Sequence, residues 1–527
     1  MKLHPHGAFV RAGREVAAGT PDQAAQARQG TIAWGILQGH NTSGDAGKLK
    51  LRFDSLTSHD ITYVGIIQTA RASGLKAFPM PYVLTNCHNS LCAVGGTINE
   101  DDHAFALSAA KKYGGTYVPT NMAVIHSYNR EEMTGCGRMI LGSDSHTRYG
   151  ALGTMAIGEG GGELAKQLLN RTYDIDMPEV VGVLLTGAPR HGVGPQDVAL
   201  ALIREVFDSG FVKNRVMEFI GPGVAGLPVE YRNGIDVMTT ETTCLSSIWL
   251  TDDRVRDYYR VHGREADYKQ LTPHELAYYD RLIEVDLGSI EPMIALPFHP
   301  SRAYPIREFL QNAEELLNQV DEEVRQQYPD LNMPPLSDKL DDQGRFHVDQ
   351  AIVAGCSGGT YDNVCVVANI MKGHSPGSDA FTFSVYPGSQ PANLALTKAG
   401  VSATLLESGV LMREAFCGPC FGAGDTPRNG GFSIRHTTRN FINRDGSKPN
   451  EGQLSYVALM DARSIAATAR NGGILTPADE IDFDEDIPPY QYDRKLYQNR
   501  VFTADKADPT VELVMGPNIM DWPEMPE

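Results

Sequence analysis

No stretch of this chain approaches the ~20 consecutive apolar residues that a membrane-crossing helix needs, so a helical span is not expected. The start, Met1-Lys2-Leu3-His4-Pro5-His6-Gly7, lacks the apolar core of a secretory signal, and the expected compartment is the cytoplasm. Basic residues are in short supply: 46 Lys and Arg stand against 65 Asp and Glu, for a net charge of -19. That balance offers no broad basic face for phosphates and disfavours nucleic acid as a partner. An anionic small molecule would have to be held by particular arginines. Internal repeats and low-complexity segments are also absent. In a reducing compartment the eight cysteines do not predict structural disulfides, so a Cys-x-x-Cys pair reads first as a metal ligand or a redox pair.

What is present is the composition of an ordinary globular protein, with 42% hydrophobic and 21% charged residues. A chain of 527 residues is too long for one hydrophobic core and implies three or four domains at ~150 residues each. The pattern is α/β. Apolar runs end in glycine and polar residues at Met139-Ile140-Leu141-Gly142-Ser143-Asp144 and at Ala351-Ile352-Val353-Ala354-Gly355-Cys356. Such runs predict strands whose carboxyl ends present chemical groups, where open α/β sheets place their ligands. The continuous run Val180 to Leu185 predicts a strand covered on both faces. From Pro305, apolar residues Ile306, Phe309, Leu310, Ala313, Leu316, Leu317, Val320 and Val324 recur every three or four positions, predicting one amphipathic helix that ends before Pro329. The charged, proline-bearing stretch that follows, to about Asp349, reads as an exposed connection.

Two cysteine segments carry the most chemistry: Gly355-Cys356-Ser357-Gly358, and Phe416-Cys417-Gly418-Pro419-Cys420-Phe421-Gly422. Cys417-Gly418-Pro419-Cys420 alone serves a thioredoxin-like redox site, a zinc knuckle or an iron–sulfur cluster equally well. A thioredoxin site belongs early in a small domain, whereas this motif lies deep in a large chain. Structural zinc wants a fourth ligand, and no second Cys-x-x-Cys or His-x-x-x-His follows. Three thiolates suit a cluster with one iron left uncapped, which can act on a substrate oxygen rather than only pass electrons. The plainer reading is three ordinary buried cysteines.

A second constellation, Gly142-Ser143-Asp144-Ser145-His146-Thr147, packs a carboxylate, hydroxyls and an imidazole into one strand-end turn. Such a turn commonly satisfies only its own backbone. It gains interest from His126, because a carboxylate beside an imidazole fixes its tautomer and raises its basicity.

The ordered set Gly-Ser-Asp-Ser-His-Thr, a strand ending in Gly-Cys-Ser, and Cys-Gly-Pro-Cys-Phe-Gly resembles the aconitase and isopropylmalate isomerase superfamily. The likeness runs from about Leu51 to the last residues and includes Phe219-Ile220-Gly221-Pro222-Gly223-Val224, Glu291-Pro292 and Thr438-Arg439-Asn440-Phe441-Ile442-Asn443-Arg444. It implies three α/β domains packed around the cluster site, spanning 1–178, 179–312 and 313–507, with 508–527 opening a linker. It also implies a [4Fe-4S] cluster on Cys356, Cys417 and Cys420. His88 falls where the family keeps the acid that protonates the departing hydroxyl. His126 with Asp144, and His146 with Glu241, match two imidazole–carboxylate pairs. Gln68 and Ser145 match residues that contact substrate, and Arg439 and Arg444 match residues that bind its carboxylates, for which a rigid guanidinium fork is suited.

The chain also departs from the family pattern. Cys87 stands where the family has an aspartate beside the acid histidine, so the partner expected to raise that pKa is missing. Ser357-Gly358 replaces Thr-Asn after Cys356, and Val237 and Thr438 each replace asparagine. No Ser-Arg segment of the family's swivelling fourth domain follows Asp508. A separate small subunit or a missing C-terminal domain is therefore expected to complete the site. The implied function is a hydro-lyase or isomerase that dehydrates and rehydrates a hydroxy di- or tricarboxylic acid. The alternatives are a cluster-binding iron or redox sensor that has lost turnover and, more distantly, a thioredoxin-like redox protein.

Overall fold

The computed structural model describes residues 1–88 and 96–525. The chain forms two compact units, one comprising Met1–Gly187, Gly210–Asp286 and Asp493–Glu527, the other Ala188–Ser209 and Leu287–Tyr492. No helix among the described residues is long and apolar enough to cross a membrane.

The first unit holds two mainly parallel sheets. In one, the strands Thr116–Val118, Tyr82–Thr85, Ser55–His59, Met139–Gly142 and Met155–Gly158 lie side by side in that order, all parallel. The earliest strand is central, and the chain moves outward on one side of it before returning to the other. Two successive connections therefore leave Ser55–His59 and Met139–Gly142 in opposite directions and open a crevice beyond their carboxyl ends. The other sheet runs Lys2–His4, Arg281–Asp286, Val180–Thr186, Val216–Ile220 and Ser246–Trp249, with only the first strand antiparallel. The continuous apolar run at 180–185 is buried as a strand between two parallel neighbours, as its composition predicts.

The second unit repeats the same parallel topology. Tyr456–Met460, Phe432–His436, Gln350–Val353, Thr382–Val385 and Leu411–Met412 are adjacent in that order and parallel. Met293–Ala295 and Ala303–Pro305 extend its edge in antiparallel fashion. Its crevice opens past Gln350–Val353 and Phe432–His436. One core of Val, Ile, Leu and Phe from both faces of this sheet fills the unit.

The predicted helix after Pro305 is instead two helices, Ile306–Gln311 and Ala313–Gln327. Asn312 breaks the run: its Nδ2 donates to the Glu308 carbonyl at 2.9 Å and its backbone leaves helical geometry at φ -123. The apolar periodicity continues across the break, so the sequence pattern conceals it. The segment expected to open a linker lies along the helices Tyr63–Ala72 and Thr97–Tyr113. Lys112 Nζ donates to the Pro509 and Val511 carbonyls at 3.2 and 3.0 Å, and Ile519 is buried in the first unit's core. Residues 526–527 of that segment lie outside the described residues.

Glu218, fully buried on Val216–Ile220, caps the helix Ile32–His40 by accepting from the Ile32 and Ala33 backbone N–H groups at 3.1 and 2.9 Å and from the Tyr279 hydroxyl at 2.7 Å. Burial outweighs these bonds and pushes its carboxyl up to about 7. Between the ordinary glutamate range and pH 7 the folded chain therefore keeps a proton that the unfolded chain has lost, so stability falls as pH rises through this window. Replacing Glu218 with Gln should destabilise the fold, because one N–H then meets an amide donor, yet it should remove this slope, worth at most about 3 kcal/mol. Denaturant unfolding at pH 5 and pH 8 checks this; an unchanged slope in the variant would contradict it.

Candidate functional site

Three strand ends of the first sheet meet at its crevice. Ser55–His59 delivers His59 and then Asp60, Tyr82–Thr85 is followed by Asn86-Cys87-His88, and Met139–Gly142 runs into Ser143 to Thr147. The helix Ile125–Glu132 adds His126, and the single turn Thr239–Thr242 adds Glu241.

Asp144 is the hub. Its Oδ1 lies 3.0 Å from His126 Nε2 and accepts the His146 backbone N–H at 2.7 Å. Its Oδ2 lies 3.5 Å from His88 Nε2 and 3.6 Å from His59 Nε2. A carboxylate only accepts, so His126 carries its proton on Nε2, and Nδ1 accepts from the Tyr149 hydroxyl at 3.0 Å. His146 Nε2 lies 2.7 Å from Glu241 Oε1. Ser145 shares the same turn, and its carbonyl accepts from Thr240 Oγ1 at 2.8 Å.

Burial sets the charge states. It would raise the Asp144 carboxyl, but His126, His146 and His59 outweigh it and hold the group well below the usual carboxylate range. Burial lowers His59 and His126 against the pull of Asp144, and pushes His88 down to about 4. Asp60, although buried, is brought to about 2 by its bond to His103 and by His88. The crevice thus combines the ionised carboxylates of Asp144 and Asp60 with neutral imidazoles at His59, His88 and His126.

His88, His126, Asp144, Ser145, His146 and Glu241, all expected from the sequence, belong to this assembly. Gln68 does not: on the helix Tyr63–Ala72 it donates from Nε2 to the Met520 carbonyl and accepts from Arg71 Nη1, each at 2.5 Å, so its amide is engaged by the chain's own later segment. It is also buried. Sequence reading missed His59, Asp60, His103 and Tyr149. The available signal was Ser58-His59-Asp60 at the end of an apolar strand, the same kind of strand-end cluster as Ser143-Asp144-Ser145-His146.

Cys87 in place of aspartate does not leave His88 without a carboxylate neighbour. Asp60 Oδ1 accepts the backbone N–H groups of Cys87 and His88 at 3.2 and 2.8 Å and lies 3.9 Å from His88 Nδ1, while Cys87 Sγ lies 3.3 Å from the same nitrogen.

The cysteines gather at the crevice of the second unit. Cys356 lies in the turn Gly355–Gly358 directly after Gln350–Val353. Gly355 has φ +74, and a Cβ there would stand 2.6 Å from Cys420 Sγ, so only glycine fits. Cys420 closes a turn on Cys417, its N–H donating to the Cys417 carbonyl at 2.9 Å. Burial, and then the neighbouring Cys417 and Cys356, push the Cys420 thiol well above its ordinary value, so three sulfurs sharing this space cannot all ionise unaided. Ser357 Oγ and Thr437 Oγ1 are buried beside them without a hydrogen-bond partner among the described residues. Crowded thiols and unanswered hydroxyl donors fit a bound iron–sulfur cluster, whose iron would compensate thiolate charge and whose sulfides would accept hydrogen bonds. The guanidinium carbons of Arg439 and Arg444 lie 5.3 and 5.2 Å from the Phe441 ring centre, and Arg444 Nη1 donates to the Cys420 carbonyl at 3.3 Å.

The model of the aconitase family (aconitate hydratase) matches residues 34–467. The mitochondrial aconitate hydratases of Gracilaria gracilis and Saccharomyces cerevisiae are each 26% identical, the alignments covering 84% and 92% of this chain and 57% and 64% of those proteins. The 3-isopropylmalate dehydratase large subunit of Clostridium kluyveri is 27% identical over 68% of this chain and 76% of its own length. The chain spans about half to two thirds of the length of the aconitate hydratases it matches.

The pKa of His88 is open to direct measurement. Imidazole nitrogen shifts in histidine-labelled protein should show His88 uncharged down to about pH 4. The unfolded chain binds this proton near pH 6.5, so His88 costs stability as pH falls through the window between the two values. Protonation of His88 near pH 6.5 in the folded protein would refute its burial.

Proposed function

This chain belongs to the aconitase family, and from that premise we propose that it dehydrates and rehydrates a hydroxy di- or tricarboxylic acid, as a hydro-lyase or isomerase. The observation that carries the reading is the pairing of two buried imidazole–carboxylate couples, His126 with Asp144 and His146 with Glu241, that meet at the one turn carrying Asp144 and His146. Proton transfer to and from a hydroxyl needs such oriented, water-excluded imidazoles.

Cys356, Cys417 and Cys420 would hold a [4Fe-4S] cluster, which when bound supplies a Lewis-acidic iron that makes a substrate hydroxyl a better leaving group. The protein's own groups do the rest. Arg439 and Arg444 present guanidinium planes steadied over Phe441 to the substrate carboxylates. Ser145 offers a hydroxyl within the Asp144 turn. His88 donates a proton to the departing oxygen. Neutral in the resting site, it is charged when a polyanion enters, because added negative charge raises a depressed imidazole pKa. Domain limits near residues 178 and 312 follow the family division. A small subunit or further domain would contribute the remaining groups, in keeping with the large-subunit name of one relative.

A second reading, a cluster-binding sensor without turnover, draws on Cys87, whose sulfur touches the acid histidine where the family has a carboxylate. Anaerobic reconstitution with iron and sulfide, followed by candidate hydroxyacids, separates the two. Both predict a change in the cluster spectrum on binding, and only the enzyme forms an alkene acid that absorbs in the ultraviolet. Cys356→Ser should lose bound iron and sulfide; a full complement of iron in that variant would overturn the cluster assignment.

A further inference from the structure

His59 has no part in the chemistry proposed above, yet it is 4% exposed at the centre of the histidine cluster, and its Nδ1 has no hydrogen-bond partner among the described residues. Its ring lies against that of His88, with centroids 4.0 Å apart. Both Nε2 atoms face one carboxylate oxygen, Asp144 Oδ2, at 3.6 and 3.5 Å. These separations are too long for good hydrogen bonds. They match the roughly 3.4 Å that two ligand atoms keep on a tetrahedral ion with bonds of about 2.0–2.1 Å. Ligand atoms of His59, Asp60 and His88 also lie within 4.8 Å of one another. A buried imidazole with one unanswered nitrogen and the other only loosely facing a carboxylate is poorly satisfied by protein alone.

We propose that His59 and His88, each through Nε2, and Asp144 through Oδ2 form a site for one divalent transition-metal ion of the Zn2+ or Fe2+ class, with Asp60 behind His88 on its Nδ1 side, built from different residues than the three cysteines. Two imidazoles with carboxylates suit these ions better than Mg2+ or Ca2+, which favour oxygen throughout. The rings are neutral and the acids ionised, the forms that ligate. An outer layer is already in place: His103 Nε2 lies 3.1 Å from Asp60 Oδ2, and His126 and the His146 backbone hold Asp144 Oδ1. The geometry stands apart from the hydratase reading. Where that reading holds, an ion on His88 withholds the ring that gives the proton, and filling the site switches turnover off.

The test uses the full chain with Cys356, Cys417 and Cys420 all replaced by Ser, so that the cysteine site cannot contribute. Cobalt(II), a coloured stand-in for zinc, is titrated while visible ligand-field absorption is followed, and zinc retained after gel filtration is counted by mass spectrometry. The expected result is one equivalent of either ion, with two paramagnetically shifted imidazole N–H signals in the cobalt form. His59→Ala should weaken cobalt binding roughly tenfold or more, and His374→Ala, at an exposed position, should not. No binding, or equal binding in His59→Ala, overturns the proposal. If His59→Ala does not fold, the N–H signals of the parent decide: two support the site and none refutes it. Failure here leaves the iron–sulfur assignment standing, and loss of that assignment leaves this site untouched.

Discussion

A parallel sheet whose earliest strand is central must send its neighbours' connections to opposite faces, and nothing fills the gap where they part. Both units meet this constraint with the same strand order, and in both the chemically loaded turns lie beside that gap. In the first, the gap collects His59, Asp60, His88 and the Asp144 turn. In the second it collects Cys356, and Thr437 and Thr438 at the end of the neighbouring strand. Side chains that are far apart in sequence thus become neighbours through strand order, without a long functional loop.

The second organising fact is how the first crevice affords buried charge. Asp144 and Asp60 stay ionised out of water because each is surrounded by N–H groups, two of them backbone amides on Asp60. Burial lowers the pKa of His59, His88 and His126 beside them, so these three rings are neutral. A polyanion entering such a place changes the proton affinity of every ring nearby, which couples binding to proton transfer without any moving part.

Much of this was legible from the sequence where the information is local. Gly142-Ser143-Asp144-Ser145-His146 reads as a strand-end turn because its apolar run and its polar cluster are contiguous. The two cysteine segments stood out by composition, and the turn at Gly418 and the positive φ at Gly355 are what bring their sulfurs together. What escaped was non-local or masked by periodicity. His59 and Asp60 gain their meaning from Asp144 and His88, whose nearness depends on strand order. Gln68 matches a substrate contact in the family pattern, and its place on the helix Tyr63–Ala72 sets its amide against the Met520 carbonyl, a contact local sequence does not show. The helix after Pro305 kept its apolar rhythm through Asn312, whose side chain competes for the backbone. Cys87 read as a lost carboxylate, whereas Asp60, twenty-seven positions earlier, occupies that neighbourhood.

Among the described residues the opening strand Lys2–His4 pairs only with Arg281–Asp286, and Glu218 helps cap the helix Ile32–His40. These two elements of the first forty residues thus find partners in chain made much later. At ribosomal speeds of about 5–20 residues per second, the amino-terminal strand waits roughly a quarter of a minute to a minute before its edge exists. Its short, polar Lys-Leu-His composition gives little to aggregate during that delay, and a nascent chain can bear the wait.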